Sequence, residues 1–98
     1  MTLELRVEPE AEAEAEEAAA WYDIRNPGLG EEFLRSFEAV LNRIQRNPKA
    51  YGTVYRSVRR ATLRRFPYNV FYTVLKDEVV VVACIHGKRD PRRWKQRV

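Results

Sequence analysis

The pattern of apolar and polar positions changes period along this chain, and each change marks an element. Thr2 to Val7 alternates, with Leu3, Leu5 and Val7 on one side and Glu4 and Arg6 on the other. Period two over six residues predicts a short, half-buried strand. Pro9 then opens an Ala/Glu segment, EAEAEAEEAAAWYDIRN. Its Glu/Ala alternation imitates a strand, but both residues are good helix formers and poor strand formers. Ala11, Ala15, Ala18, Ala19 and Tyr22 fall at helical spacing, and proline followed by glutamates suits a helix start. PGLG, from Pro27 to Gly30, stops this helix. A second follows with a stronger stripe: Phe33, Phe37, Leu41 and Ile44 step by four, four and three, widened by Val40. Glu31 and Glu32 at its start and Arg43 and Arg46 at its end both favour the helix dipole. Asn47-Pro48 closes it. The two helices, joined by a Gly/Pro turn, form a hairpin whose apolar edges need a sheet to cover.

The second half returns to strand patterns. A strand is expected around Val58 to Arg65, with Arg60, Thr62 and Arg64 facing one way and Arg59, Ala61, Leu63 and Arg65 the other. Phe66-Pro67-Tyr68-Asn69 makes a turn. Val70 to Leu75 is β-branched and aromatic, Lys76-Asp77-Glu78 closes a hairpin, and Val79 to His86 is the third strand of a meander. Val79 to Ile85 is apolar on both faces, so this strand is expected to be central, or covered by a partner as well as by the helices. Asp90-Pro91, Arg93, Trp94 and Arg97 form a loop with one helical turn at most. The predicted order is β-α-α-β-β-β. That is an α+β fold in one domain, 1–98, with a helical hairpin packed on a small, mostly antiparallel four-stranded sheet.

Composition narrows the function. A chain of 98 residues has room for one compact core. The N-terminus lacks the apolar stretch of a signal peptide, and the run Val79 to Ile85 is too short to span a bilayer. The one cysteine, Cys84, allows no internal disulfide and fits a reducing cytoplasm; it reads as a small buried apolar residue. With one Cys and one His no metal site is expected unless carboxylates supply the remaining ligands, and no cofactor is expected. The net charge of +4 hides a split. Residues 1–50 carry six Arg/Lys against eleven Asp/Glu, and residues 51–98 carry twelve against three, net −5 and +9. The acidic half, including Glu10 to Glu17, reads as a solvated helix face; the basic half points to an anionic target or an acidic partner.

The ordered set LRRFPYNVFYTVLKDEVVVVACIHGKRDPRRW, preceded by WY…NPGLGEEF in the helical hairpin, resembles the RelE/ParE superfamily of bacterial type II toxin–antitoxin modules. The resemblance covers nearly the whole chain. It implies a cytoplasmic toxin, held inactive by a cognate antitoxin whose acidic, partly disordered C-terminal segment wraps it. The apolar outer face of the last strand, with Val80 and Val82, and beside it Trp94, is the expected antitoxin contact. Trp94 also has a plainer reading, in which it folds back and fixes the tail.

The superfamily divides by target. RelE-like members cleave messenger RNA on the ribosome; ParE-like members poison DNA gyrase. Cleavage through the 2′-hydroxyl needs a base, an acid and cations for the phosphorane. If the chain is a nuclease, His86, Arg64, Arg89 and Tyr68 are the candidate catalytic groups, with Tyr68 or Tyr72 stacking a base. Against this, His86 reads more readily as a strand-end histidine bonded to Asp90 or to backbone. The ending WKQRV also lacks the terminal Tyr or His of the nucleases, and HGKRDPRRW resembles the ParE-like and plasmid-stabilisation branch. The favoured reading is a gyrase inhibitor in which Arg60, Arg64, Arg65, His86 and Arg89 form one cationic patch for the target. A ribosome-dependent endoribonuclease is the alternative, and a non-toxic nucleic-acid-binding regulator is third.

Overall fold

A computed structural model describes residues 3–98; the expected strand start at Thr2 lies outside them. The chain runs β1 (Glu4–Val7), α1 (Pro9–Arg25), α2 (Leu29–Arg46), β2 (Thr53–Tyr55), β3 (Val58–Thr62), β4 (Tyr68–Leu75), β5 (Glu78–His86) and α3 (Arg92–Lys95). The fold is α+β, with the helical hairpin on one face of a sheet ordered β1-β5-β4-β3-β2. Every pairing is antiparallel except β1 with β5, which is parallel.

The sheet has five strands, not four. The additional strand, β2, pairs Thr53 with Arg59 and Tyr55 with Val58 across a turn in which Arg56 adopts a φ of 52°. Three residues with exposed or half-exposed side chains show no alternation, so nothing in their pattern announces a strand. The strand β3 is shorter than expected. It ends at Thr62, and Leu63 to Arg65 lie in the turn that follows.

The hairpin packs as its small residues dictate. Ala11, Ala15, Ala18 and Ala19 are all buried along α1. At Gly30, near the start of α2, a Cβ would collide with the Ala19 carbonyl oxygen and lie 2.9 Å from the Asp23 Cβ. Asp23 closes the corner: its Oδ1 accepts the N–H of Gly28 at 2.9 Å and of Gly30 at 3.3 Å. Phe33, Phe37, Val40 and Ile44 of α2 then press on Ala61, Leu63, Phe66, Val70, Tyr72, Val79, Val81 and Cys84. Leu41 sits at the margin of this core.

A second, smaller core lies on the opposite face of the sheet. It holds Val58, Phe71, Val80, Val82, Ala83, Ile85 and Trp94. Val82 and the adjacent Ala83 both belong to it because the β4–β5 register slips there: Phe71 faces Ala83, but Tyr72 faces Val81. One extra residue in β5 is a β-bulge, and it turns two neighbours to the same side. Trp94 of α3 closes this core, stacked on Phe71 with ring centroids 4.2 Å apart and edge-on to Tyr55 at 5.8 Å.

Candidate anion-binding site

The end of β5 brings together Tyr68, His86 and Arg89. Tyr68 and His86 are cross-strand partners, and their rings meet edge to face at 5.2 Å. After His86 the chain turns sharply, and the Arg89 N–H donates to the His86 carbonyl at 2.9 Å. The His86 Nδ1 accepts the Lys88 N–H at 3.0 Å. That contact engages Nδ1 and leaves Nε2 as the free edge of the ring. Burial raises the Tyr68 phenol above its ordinary value, so it stays a protonated donor.

Two cavities flank this strand end. One, of about 250 Å³, lies toward the tail and is lined by Arg60, Asn69, His86, Arg89, Trp94 and Lys95 among others. The second, of about 390 Å³, lies toward α1 and is lined by Glu14, Glu17, Trp21, Tyr68, His86, Arg89 and Arg93 among others. Asp90 does not reach His86. Its Oδ2 accepts from the Arg92 Nε at 2.9 Å and a terminal nitrogen at 2.6 Å, its Oδ1 accepts the Arg92 backbone N–H at 2.9 Å, and those bonds keep its carboxyl below the usual carboxylate range. Arg60, Arg89, Arg93 and Lys95 make no ion pair among the described residues.

The five expected patch residues divide into two groups. Arg60, His86 and Arg89 share the tail-side cavity, whereas Arg64 and Arg65 line a groove against α2 on the helical side of the sheet. The cause is local. Arg65 takes a left-handed conformation, φ 72°, and the Arg64 carbonyl accepts the Ser36 Oγ–H at 2.9 Å. A non-glycine residue rarely adopts that conformation. Here it takes the chain out of the strand, and Arg65 pairs with Glu32 of α2 at 2.9 Å.

The three residues expected to meet an antitoxin are under cover. Val80 is 3 % exposed, Val82 6 % and Trp94 3 %. The protein's own tail occupies that face, so a partner reaching the strand has to displace Trp94. A pair of residues that sequence reasoning missed holds the tail down. Arg97 donates to both carboxylate oxygens of Glu14, at 3.0 and 2.8 Å, and to the Val82 carbonyl at 2.9 Å. Glu14 also accepts the Cys84 N–H at 3.1 Å. This corrects the reading of Glu10 to Glu17 as a purely solvated face. β1 pairs with β5 only as far as Val81, which leaves the next edge groups of β5 to side chains.

Cys84 is buried, and burial, with the Glu14 carboxylate second, pushes its thiol up to about 12. That excludes it as a nucleophile near neutrality. Among the described residues no group of three or more His, Cys, Asp or Glu side chains is placed to hold a metal ion. No helix is long and apolar enough to cross a membrane.

Comparison with known proteins adds two findings. A chain of the chromosomal ParDE toxin–antitoxin system from P. aeruginosa has a similar fold, with a TM-score of 0.78 and 17% identity over 87% of this chain and 96% of that one. Comparison with curated protein sequences gives no match. The sequence model of the ParE toxin of type II toxin–antitoxin systems, parDE, matches residues 5–91, nearly all of the sheet and both long helices. The chain belongs to the ParE toxin family.

Proposed function

We propose that this protein is a growth-inhibiting toxin that poisons DNA gyrase and is neutralised in the cytoplasm by a cognate antitoxin. The observation that carries this over RNA cleavage is the occupied Nδ1 of His86. A nuclease needs a base beside the attacking 2′-hydroxyl. With its Nδ1 engaged, His86 keeps only one free ring nitrogen, next to a raised Tyr68 phenol and two arginines without carboxylate partners. Such a set suits holding an anionic surface. Arg60 and Arg89 are the main contacts with the target, and His86 and Tyr68 support them.

The antitoxin's acidic segment lies across the same cations and over the tail beside Trp94. Val80 and Val82 become accessible to it only where the tail lifts. An extended segment orders as it binds, and the area it covers offsets that entropy loss.

The test compares two reactions with purified toxin: gyrase supercoiling, and programmed ribosomes mapped by primer extension. Supercoiling should be lost while the message stays intact. Arg60→Glu/Arg89→Glu should abolish growth inhibition with an unchanged circular dichroism spectrum, and His86→Ala should keep most of it. Codon-positioned cuts that vanish in His86→Ala would instead establish the nuclease.

A further inference from the structure

The groove between α2 and the turn after β3 is a second cationic site, on the opposite side of the sheet from Arg60 and Arg89. It encloses about 740 Å³. Arg35, Arg43 and Arg46 form one wall, and Arg64 and Arg65 form the other. The first wall follows from helical spacing: residues eight and eleven positions apart return to one face, spanning about 16 Å of helix. The second follows from the left-handed Arg65, which turns the chain toward α2.

Ordinary roles account for only part of this. Arg43 and Arg46 favour the C-terminal dipole of α2, Arg35 pairs with Glu31 at 3.2 Å, and Arg65 pairs with Glu32. Glu32 is the one acidic residue lining the groove, against five arginines. Arg43, Arg46 and Arg64 have no ion pair among the described residues. The Arg43 Nε is out of contact with water and has no acceptor. A buried donor left unpaired is destabilising and calls for an explanation.

We propose that this groove binds the phosphate backbone of a nucleic acid, independently of whether the protein's target is gyrase. Guanidinium forks match phosphate oxygens bidentately, and Asn42 beside them is a typical backbone-contact donor. An acidic peptide is the poorer fit. Peptide grooves take their affinity from apolar side-chain pockets, and here the apolar lining is Ala39 and the rim of a buried Phe66. Carboxylates paired with exposed arginines contribute little on their own. Phosphates gain from the release of condensed counterions, and no pocket is required.

The test is fluorescence anisotropy of a labelled 20-base-pair duplex of arbitrary sequence against salt. Each lost phosphate contact lowers the slope of log K on log salt by about 0.9. Arg43→Gln/Arg46→Gln/Arg64→Gln should therefore flatten the slope by about 2.7 units and weaken binding at least tenfold at low salt. Arg46→Gln/Arg64→Gln spares the partly buried Arg43 and should flatten it by about 1.8, with its thermal midpoint near that of the parent. Arg25→Gln/Arg56→Gln/Lys76→Gln, which removes three cations elsewhere, should leave the slope nearly unchanged. Equal slopes in the parent and both groove variants would overturn the proposal. So would a parent that ignores the duplex but binds a 12-residue glutamate peptide through these arginines, which would make the site one for acidic peptide.

Discussion

The two faces of the sheet are covered in different ways. On one side, two helices bury four alanines, two phenylalanines, Val40 and Ile44 against the strands. On the other, one tryptophan of a four-residue helix, with Tyr55 at its edge, closes a core of six strand residues. The first cover is a large part of the domain. The second is a lid on a tail, held by a stack and by one bidentate ion pair. Both faces are buried, but the second is covered by a far shorter piece of chain.

Truncating one anchor on each face sharpens that contrast most. Phe33→Ala empties the helical core, where the parent ring is fully buried. It should lose about 3–5 kcal/mol in urea unfolding. Trp94→Ala should lose about 3 kcal/mol, the low end of the range, because the tail can move to refill the gap. The second variant should stay folded, and trypsin should cut it at Arg92 and Arg93 faster than the parent. If Trp94→Ala unfolds the whole chain instead, the two faces are one cooperative unit.

A smaller effect comes from the ion pair. The side chains of Glu14 and Arg97 are 13% and 23% exposed, so the pair is screened less than a surface bridge. Glu14→Gln and Arg97→Ala should each cost about 1–3 kcal/mol, since each leaves a charged or polar group short of partners. A double-mutant cycle should show coupling of about 1 kcal/mol. Arg97→Lys should not restore the parent, because an ammonium lacks the fork that grips both oxygens.

The smallest effect is in pH. The Cys84 thiol, raised from its ordinary 9.0 to about 12, and the Tyr72 phenol, raised from 10.0 to about 12, both favour their neutral forms in the fold, chiefly through burial. Tyr72 also donates to the Pro48 carbonyl at 2.6 Å. For both groups the folded value lies above the unfolded one. Their stabilisation is therefore complete below pH 9 and lost as pH rises toward 12. Urea midpoints should be flat from pH 7 to 8.5 and fall above 9, and Cys84→Ala should remove the earliest part of the fall. At pH 8 alkylation of Cys84 should be slow in the parent. It should stay slow in Trp94→Ala if the two faces open separately.

Much of this arrangement was readable in the chain, and the misses have physical causes. Apolar residues at helical spacing marked both helices. Alternation and β-branched runs marked β1, β4 and β5. A three-residue strand such as β2 exists only through its pairing with β3, and it carries no period of its own. The division of the arginines was hidden because Arg65 is not a residue type that signals a left-handed turn; alternation carried through Leu63 would have kept Arg64 beside Arg60. The bulge at Val82 was invisible in a run of four valines, where either register looks the same. Glu14 and Arg97 stand 83 residues apart, and charge counts by half-chain cannot pair them.

The parallel pairing of β1 with β5 has a consequence for how this protein comes into being. Glu4 to Val7 find their partners only when Glu78 to Val81 have been made, and Arg97 closes on Glu14 later still. Joining such distant segments is slow compared with forming a helical hairpin. During vectorial synthesis the two helices can assemble early, while the sheet edge and Arg97 wait for the strands that follow. The cluster of Tyr68, His86 and Arg89 at the end of β5 is thus assembled only after both helices have been made.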